Sequence, residues 1–483
     1  MQVLKLLIVL VGVSSSWAQV DTLWSTMAGV GHESETLYEL LELEDGSLIA
    51  VGGLFSSDSG RIIDGIYKLS EDGEHIWSRG FHGIGLGWFK GITEADNGDF
   101  VLTGQSRIPD QPGETRIFAA RVNSSGDSVW TRVYNSLSSS GSEAIHPAVG
   151  GGYWIFGHAV EGGQDQFLAL KISEAGDSLD AKIYGLERAD YLNEVCQTYD
   201  GGFMLVGNYW DPVAGHSQGE IIRLDANGDS LWGRLYGGLG DENFYDVVID
   251  ESGGYMLCGS FIAEGEEKDD MLIMKIDEDG DSLWSRVYGG AEYDIGSSIV
   301  AVPEGFTVLA YTNSFSQGLN DAWILRLDAD GDSLFTDLFG SSRNEVVWDM
   351  ILCRNLGYAF CGFAHIAGAG NDGWILKTTP DPTIETSGSS DDGRLFPSEF
   401  SLDAYPNPFN PVTTIRFSLP KSSNASLVVY NIAGQEVATL ISGNLTAGSH
   451  TITFDGANLT SGVYQYRLSA GELVSTMKMV LLK

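Results

Sequence analysis

Apolar and polar residues alternate in short runs along most of this chain, and turn-forming residues separate the runs. Residues 246–290 show the unit. A first short strand is predicted over 246–250 and a Gly-Gly turn over 251–254. A second strand follows over 255–260, a polar loop over 263–269 and a third strand over 271–276. A tight hairpin turn, Asp277-Glu-Asp-Gly280, leads into a fourth strand over 282–288. Period-two alternation bounded by Gly, Asp and Asn is the signature of antiparallel strands rather than helices.

The unit recurs. A phrase close to Gly-Asp-Ser-Leu-Trp places its glycine at Gly73, Gly126, Gly176, Gly228, Gly280 and Gly331, in steps of 53, 50, 52, 52 and 51 residues. Four strands per fifty residues is the size of a propeller blade. The second strand occurs seven times, at 47–52, 99–104, 152–157, 202–207, 254–259, 305–310 and 357–362, and the third strand also occurs seven times. The last copy has no fourth strand after it, whereas Leu23-Trp24 is a fourth strand before any first one. The expectation is therefore an all-β chain: a seven-bladed β-propeller of four-stranded antiparallel blades, closed by residues 22–28, followed by a small β-sandwich. The short turns fall on one face. The longer loops and blade connections fall on the other, the usual seat of binding.

Composition sharpens this picture. Of 483 residues 62 are Gly and 12 Pro, which suits many tight turns. The net charge is −39, and the residues from Phe396 onward sum to zero, so the excess lies before them. Such a surface repels phosphate backbones and anionic lipid and excludes nucleic acid as a natural partner. Lys5 precedes an apolar run over 6–13, and Ser16-Trp17-Ala18 fits cleavage after Ala18, so residues 1–18 read as a signal peptide. No other segment is long and apolar enough to be an integral span. Cys196, Cys258, Cys353 and Cys361 include no Cys-x-x-Cys pair, and the first two with Cys361 align with apolar repeat positions, as buried small hydrophobes would.

The expected domains are the signal peptide (1–18), the propeller (19–379), a polar linker (380–396) and a C-terminal module (397–483). In the last, Tyr405-Pro406-Asn407-Pro408-Phe409-Asn410-Pro411, then 414–419, 427–431, Asp455-Gly456, 461–466 and a terminal strand containing Lys478 occur in order. This array resembles the type A C-terminal sorting domain of the type IX secretion system. The resemblance implies an immunoglobulin-like sandwich read by the outer-membrane export machinery, and a product released or anchored at the outer cell surface. The preceding repeats match neither the WD40 nor the kelch pattern and look like generic secreted bacterial propellers.

Two sets of residues carry candidate chemistry. Asp225-x-Asn227-Gly-Asp229, Asp277-x-Asp279-Gly-Asp281 and Asp328-x-Asp330-Gly-Asp332 place oxygens where a calcium ion would suit them, or form plain hairpins. No other cofactor is expected. When the first strands are aligned, Glu39, Glu194, Asp246 and Asp349 fall on one register, beside Tyr38, Trp88, Phe89, Tyr191, Tyr245 and Trp348. Carboxylates beside aromatic faces hold sugar hydroxyls or cations, and paired carboxylates do glycoside chemistry. The alternative is that the acids cap strands and the aromatics pack between blades. Trp24, Trp77, Trp130, Trp232 and Trp284 recur in the fourth strand and read as blade core. There is no nucleophile elbow, zincin motif or phosphate-binding loop.

The expectation is a monomeric, exported, non-catalytic binding or adhesion module whose partners are the type IX machinery and a glycan or surface-protein ligand. The alternatives are a polysaccharide hydrolase or lyase using the loop-face carboxylates, and a purely structural surface protein.

Overall fold

The computed structural model describes residues 6–10, 20–28, 35–384 and 401–483, apart from short stretches within loops. Among the described residues there are strands and turns but no α-helix, and so none that could cross a membrane. Seven four-stranded antiparallel arrays follow one another from Leu37 to Thr378, as the periodicity predicts. The first strand of each blade packs on that of the next, and the strand Glu345–Leu352 of blade seven packs on Leu37–Glu42 of blade one.

The fourth strand of blade seven comes from the other end of the chain. Thr22–Ala28 pairs antiparallel with Gly370–Thr378, Ala28 opposite Gly373 and Thr22 opposite Thr378. Val20 N donates to Asp337 Oδ2 of blade six at 2.9 Å. Two raw sheet edges are thereby paired, which removes a site of edge-to-edge association. Leu6–Leu10, within the expected signal peptide, lies parallel on the outer edge of blade five, Leu6 opposite Ser285.

The repeated phrase turns out to be a latch between blades. The fourth-strand tryptophans are only part-buried, and each covers the glycine turn between the third and fourth strands of the next blade. A Cβ on Gly126 would lie 2.8 Å from Trp77, one on Gly280 2.7 Å from Trp232 and one on Gly331 2.4 Å from Trp284. These glycines also sit at φ near +80°, so two constraints exclude a side chain. Two residues after Trp77, Trp130, Trp232 and Trp284 an arginine stacks on the ring, Arg79 at 5.5 Å and Arg286 at 5.3 Å. Tyr134 and Tyr236 donate to the carbonyls of Gly176 and Gly280 at 2.9 and 2.5 Å. Blade three lacks this Trp, having Asp180 there. Trp154 of its second strand fills the place, 2.9 Å from a Cβ on Gly228.

A second recurrent device ties five of the seven third strands to neighbouring carboxylates. Arg121, Arg223, Lys275 and Lys377 occupy one repeat position and pair with Asp99, Asp200, Asp250 and Glu42 at 2.9, 2.7, 2.8 and 3.1 Å. In blade six the equivalent Arg326, 1% exposed, instead meets Asp381 at 3.4 Å. Tyr358 and Thr383 also hydrogen-bond Asp381, and Ile384 joins the blade-seven core. The packed body therefore runs to Ile384, five residues beyond the expected end of the propeller.

Cys258 and Cys361 are buried, as their apolar repeat positions imply, and Cys353 is buried as well; Cys196, expected to be buried for the same reason, is only half-buried, and all four are free thiols. The C-terminal module pairs Ser401–Tyr405, Val412–Leu419 and Gly448–Asp455 in one sheet. Glu436–Leu445, Ser423–Asn431, Gly462–Ala470 and Leu473–Leu481 form the other. Phe409, Phe417, Leu427, Phe454 and Tyr466 fill the core between them.

Candidate binding site at the mouth of the central channel

The first strand of every blade lines the axis, and every one carries a β-bulge at the same place. The pairing with the second strand slips between Leu37 and Glu39, Phe89 and Gly91, Ser142 and Ala144, and Leu192 and Glu194. It slips again between Phe244 and Asp246, Gly296 and Ser298, and Val347 and Asp349. The bulge explains why the first strand of blade five begins at Asp241 rather than at the expected 246. The extra residue breaks the alternation from which the strand start was read.

The four predicted acids each stand immediately after a bulge, so one ring around the axis gathers them. A bulge frees a backbone N–H, and a buried free donor is costly. The ring supplies the acceptors. Asp349 Oδ2 takes Leu40 N of blade one at 2.8 Å, and Glu39 Oε2 takes Ile92 N of blade two at 2.6 Å. Asp246 Oδ2 takes Ile299 N of blade six at 2.8 Å and the Ser298 hydroxyl at 2.9 Å. Ser298 Oγ in turn accepts from Met350 N of blade seven at 3.3 Å. Each side chain reaches into the following blade, across the closing seam as elsewhere. Glu194 differs: it accepts from Val195 N of its own strand at 2.8 Å.

Protein surrounds these acids, each of which is half-buried near the axis. Desolvation, then the neighbouring ring carboxylates, pushes Glu39 and Glu194 well above the ordinary carboxylate range. Desolvation pushes Asp246 up to about 7 and Asp349 up to about 6. The ring therefore holds part of its protons at neutral pH, which relieves like-charge repulsion.

The bulged residues themselves form a second ring toward the loop-bearing face. In chain order they are Tyr38, Lys90, Glu143, Asn193, Tyr245, Ser297 and Trp348. One arc is aromatic. Tyr38 stacks on Trp348 with centroids 6.2 Å apart, and Tyr311 of the second strand meets Trp348 edge-on at 6.3 Å. Trp348 is 37% exposed. The other arc is polar. Lys90 Nζ pairs with Glu143 and sits 5.6 Å over the Tyr38 ring. His158 Nδ1 lies 3.9 Å from Glu143, and Asn193 Nδ2 donates to Phe244 O at 2.7 Å. Burial works against the charge on Lys90, but the Glu143 carboxylate outweighs it and holds the ammonium above its ordinary value.

Of the remaining predicted aromatics, Phe89 is fully buried and stacks on Phe118, so it belongs to the core. Trp88 lies under Arg107 at 5.9 Å, and Tyr191 is exposed. Lys90, Glu143, Asn193 and Ser297 share no residue type that marks them in the sequence, although they occupy in the other blades the column that holds Tyr38, Tyr245 and Trp348.

The three acidic turns are hairpins in which the first aspartate caps the turn. Asp225 Oδ1 accepts from Asn227 N and Asp229 N, both at 2.8 Å. Asp277 Oδ1 accepts from Asp279 N and Asp281 N at 3.1 and 2.7 Å. Asp328 Oδ1 accepts from Asp330 N and Asp332 N at 3.0 and 2.8 Å. Asp229 pairs with Lys182 of blade three at 2.6 Å, Asp281 lies 3.4 Å from Arg234, and Asp332 pairs with Arg286. Among the described residues no three His, Cys, Asp or Glu side chains converge as a metal site.

In the C-terminal module Asn407 clamps the last strand: its Nδ2 donates to Lys478 O and its Oδ1 accepts from Val480 N, both at 2.9 Å. Tyr405 ends the first strand of the module, and Phe409 is buried against Phe454. Pro406 and Pro408 lie outside the described residues.

No curated protein matches the chain in sequence. Its fold is similar to the WD40 domain of Neurospora crassa Pan2, at 10% identity over 77% of this chain and 98% of that one, with a TM-score of 0.48. It is also similar to the polysaccharide lyase Uly1, at 8% identity over 72% and 90%, with a TM-score of 0.46. A further similarity is to PorZ, a surface component of the type IX secretion system of Porphyromonas gingivalis, at 10% identity over 95% and 100%, with a TM-score of 0.21. Residues 403–482 match the secretion system C-terminal sorting domain, which marks this propeller as a type IX substrate exported to the cell surface or beyond it.

Proposed function

We propose that the exported propeller is a non-catalytic binding module and that its ligand, a glycan of the surroundings, docks at the mouth of the central channel. The single observation behind this reading is the broken symmetry of the bulge ring. Seven equivalent backbone positions carry an arc of three aromatics and one serine (Tyr245, Ser297, Trp348, Tyr38) and a wholly polar arc (Lys90, Glu143, Asn193). A purely structural ring has no need of that division. Aromatic faces receive the C–H faces of a sugar, and a facing arc of donors and acceptors receives its hydroxyls.

The ring carboxylates favour binding over hydrolysis or lyase chemistry. Glu39, Asp246 and Asp349 each hold a backbone N–H of the next blade. A general acid or nucleophile must be free to meet substrate. Calcium in the acidic turns is a further expectation, and it competes there with the backbone donors that already occupy the first aspartate.

The test is an immobilised-glycan panel read with the purified mature protein, alongside reducing-sugar release from the glycans that bind. The expected result is binding without release. Release abolished by Asp246→Asn would replace this reading with the enzymatic one. An empty panel would return the protein to a structural role.

A further inference from the structure

Blade four departs from the repeat in the middle of its third strand. The residue opposite the second-strand glycine is Gly65, Phe118, Leu168, Leu272 or Trp374 in five blades, and Trp323 opposite Ala310 in another. In blade four it is Glu220, opposite Gly207. Its carboxyl group is where a large apolar side chain belongs, and the residue is only 3% exposed. A neighbouring position changes with it. The fourth strand carries Ser78, Thr131, Ala181, Ser285, Thr336 or Ser25 in the other blades and Gly233 here.

The two changes open a cleft of about 400 Å³ beside Glu220, walled by Tyr184, Ile222, Gly233 and Leu235. Glu220 Oε2 has no hydrogen-bond partner. The carboxyl group also hydrogen-bonds that of Asp190, which starts the first strand of the blade. Desolvation, then Asp190, pushes Glu220 up to about 9, so burial favours its neutral acid until a cation meets it. Among the described residues no lysine or arginine pairs with Glu220. Arg234, at the rim, spends its guanidinium on the Asp279 carbonyl at 3.0 and 2.7 Å. A buried carboxyl group with an unpaired oxygen beside open volume is expensive in a fold that fills the same position with Phe, Leu or Trp in five of the other six blades.

We propose that this cleft is a second binding site, separate from the channel mouth, whose ligand presents a primary ammonium group to Glu220 and lays the adjoining carbons against Tyr184 and Leu235. The chemistry fits a lysine side chain of a protein and equally an amino sugar, and the volume suits a group of that size.

Calorimetric titration of the full mature protein with Nα-acetyl-lysine amide and with glucosamine tests the site and separates the two sources. Their N-acetylated counterparts serve as controls. At least one ammonium compound should bind about tenfold more tightly than its acetylated form. Glu220→Gln, which keeps the shape, should abolish that preference. Glu220→Leu, the residue of blades three and five, should also abolish it while raising the melting temperature. Equal affinity for acetylated and free amines, or no binding of either amine, would overturn the proposal. So would a preference that survives Glu220→Leu, or a lower melting temperature in that variant, which would make the carboxyl group a structural one.

Discussion

Trp24 and Gly73 meet across the seam that closes the propeller. A Cβ on Gly73 would lie 2.6 Å from the Trp24 indole, and Trp24 Nε1 donates to Glu71 O at 2.8 Å. Trp130 bonds Glu174 O in the same way inside the array, at 3.1 Å. The junction of the two chain ends is thus built like the tryptophan-bearing boundaries inside the array, as expected for a closed ring.

Weakening that seam should destabilise the whole ring. Trp24→Ala is expected to cost about 2–4 kcal/mol, the lower part of the range for large aromatic truncations because the ring is part-exposed. Deleting residues 19–28 should cost more, since it also bares the edge of Gly370–Thr378. Urea unfolding measures both, and a deletion variant with an unchanged midpoint would show that the seam carries no stability.

The acidic turns should depend on glycine more than on aspartate charge. Gly280→Val forces a β-branched side chain into positive φ and against Trp232, for a cost of about 2–4 kcal/mol. Asp277→Asn retains the Oδ1 acceptor for both turn N–H groups and should cost under about 0.5 kcal/mol. With the first aspartate so committed, millimolar calcium should move the melting temperature little. A rise of many degrees over matched sodium would mean that bound metal stabilises the native state.

Stability should fall as pH rises from 5 to 8.5. Asp349, Asp246 and Glu242 are raised by burial to about 6, 7 and 8, so the native state holds protons that the unfolded chain releases near pH 4. Their contribution is complete below the unfolded value and lost as pH passes through the folded ones. Asp246→Asn should flatten the melting-temperature profile near pH 7, which separates the ring from general charge repulsion. A profile that climbs toward pH 8.5 contradicts the assignment.

The end of the propeller is set by Asp381 and Ile384. A chain ending at Ile384 should unfold like the propeller within the full protein. One ending at Thr379 strands Arg326 without its buried carboxylate and should lose about 3–5 kcal/mol. In a type IX-competent cell the chain ending at Ile384, leader included, should stay behind the outer membrane. Its efficient appearance outside would remove the sorting role from the C-terminal module.

The blade count, the strand order within a blade and the closing strand were all legible in the sequence, because turn glycines at fifty-residue steps leave few other architectures. The single register of Glu39, Glu194, Asp246 and Asp349 was legible for the same reason. Their partners were not, because Ile92 and Ile299 stand about fifty residues away in the next blade and a backbone N–H leaves no mark in a sequence. The tryptophans were legible only in part. Recurrence suggested core, and Trp77 and Trp232 do pack against the blade cores, but each also lies part-exposed over a neighbour's turn, a contact that only the ring geometry creates. Trp154 replaces one of them from another strand, so the blade-three contact survives a motif that has lost its key residue.

On the proposed function the two rings divide the labour: the aromatic arc receives ligand and the acid ring holds the blades together. Affinity for a glycan identified on the panel, measured for Trp348→Ala and Asp246→Asn side by side, tests it most directly. Trp348→Ala should weaken binding by about tenfold or more at unchanged melting temperature, and Asp246→Asn should bind like the parent. Full affinity in Trp348→Ala, with binding lost in a stably folded Asp246→Asn, would contradict the account.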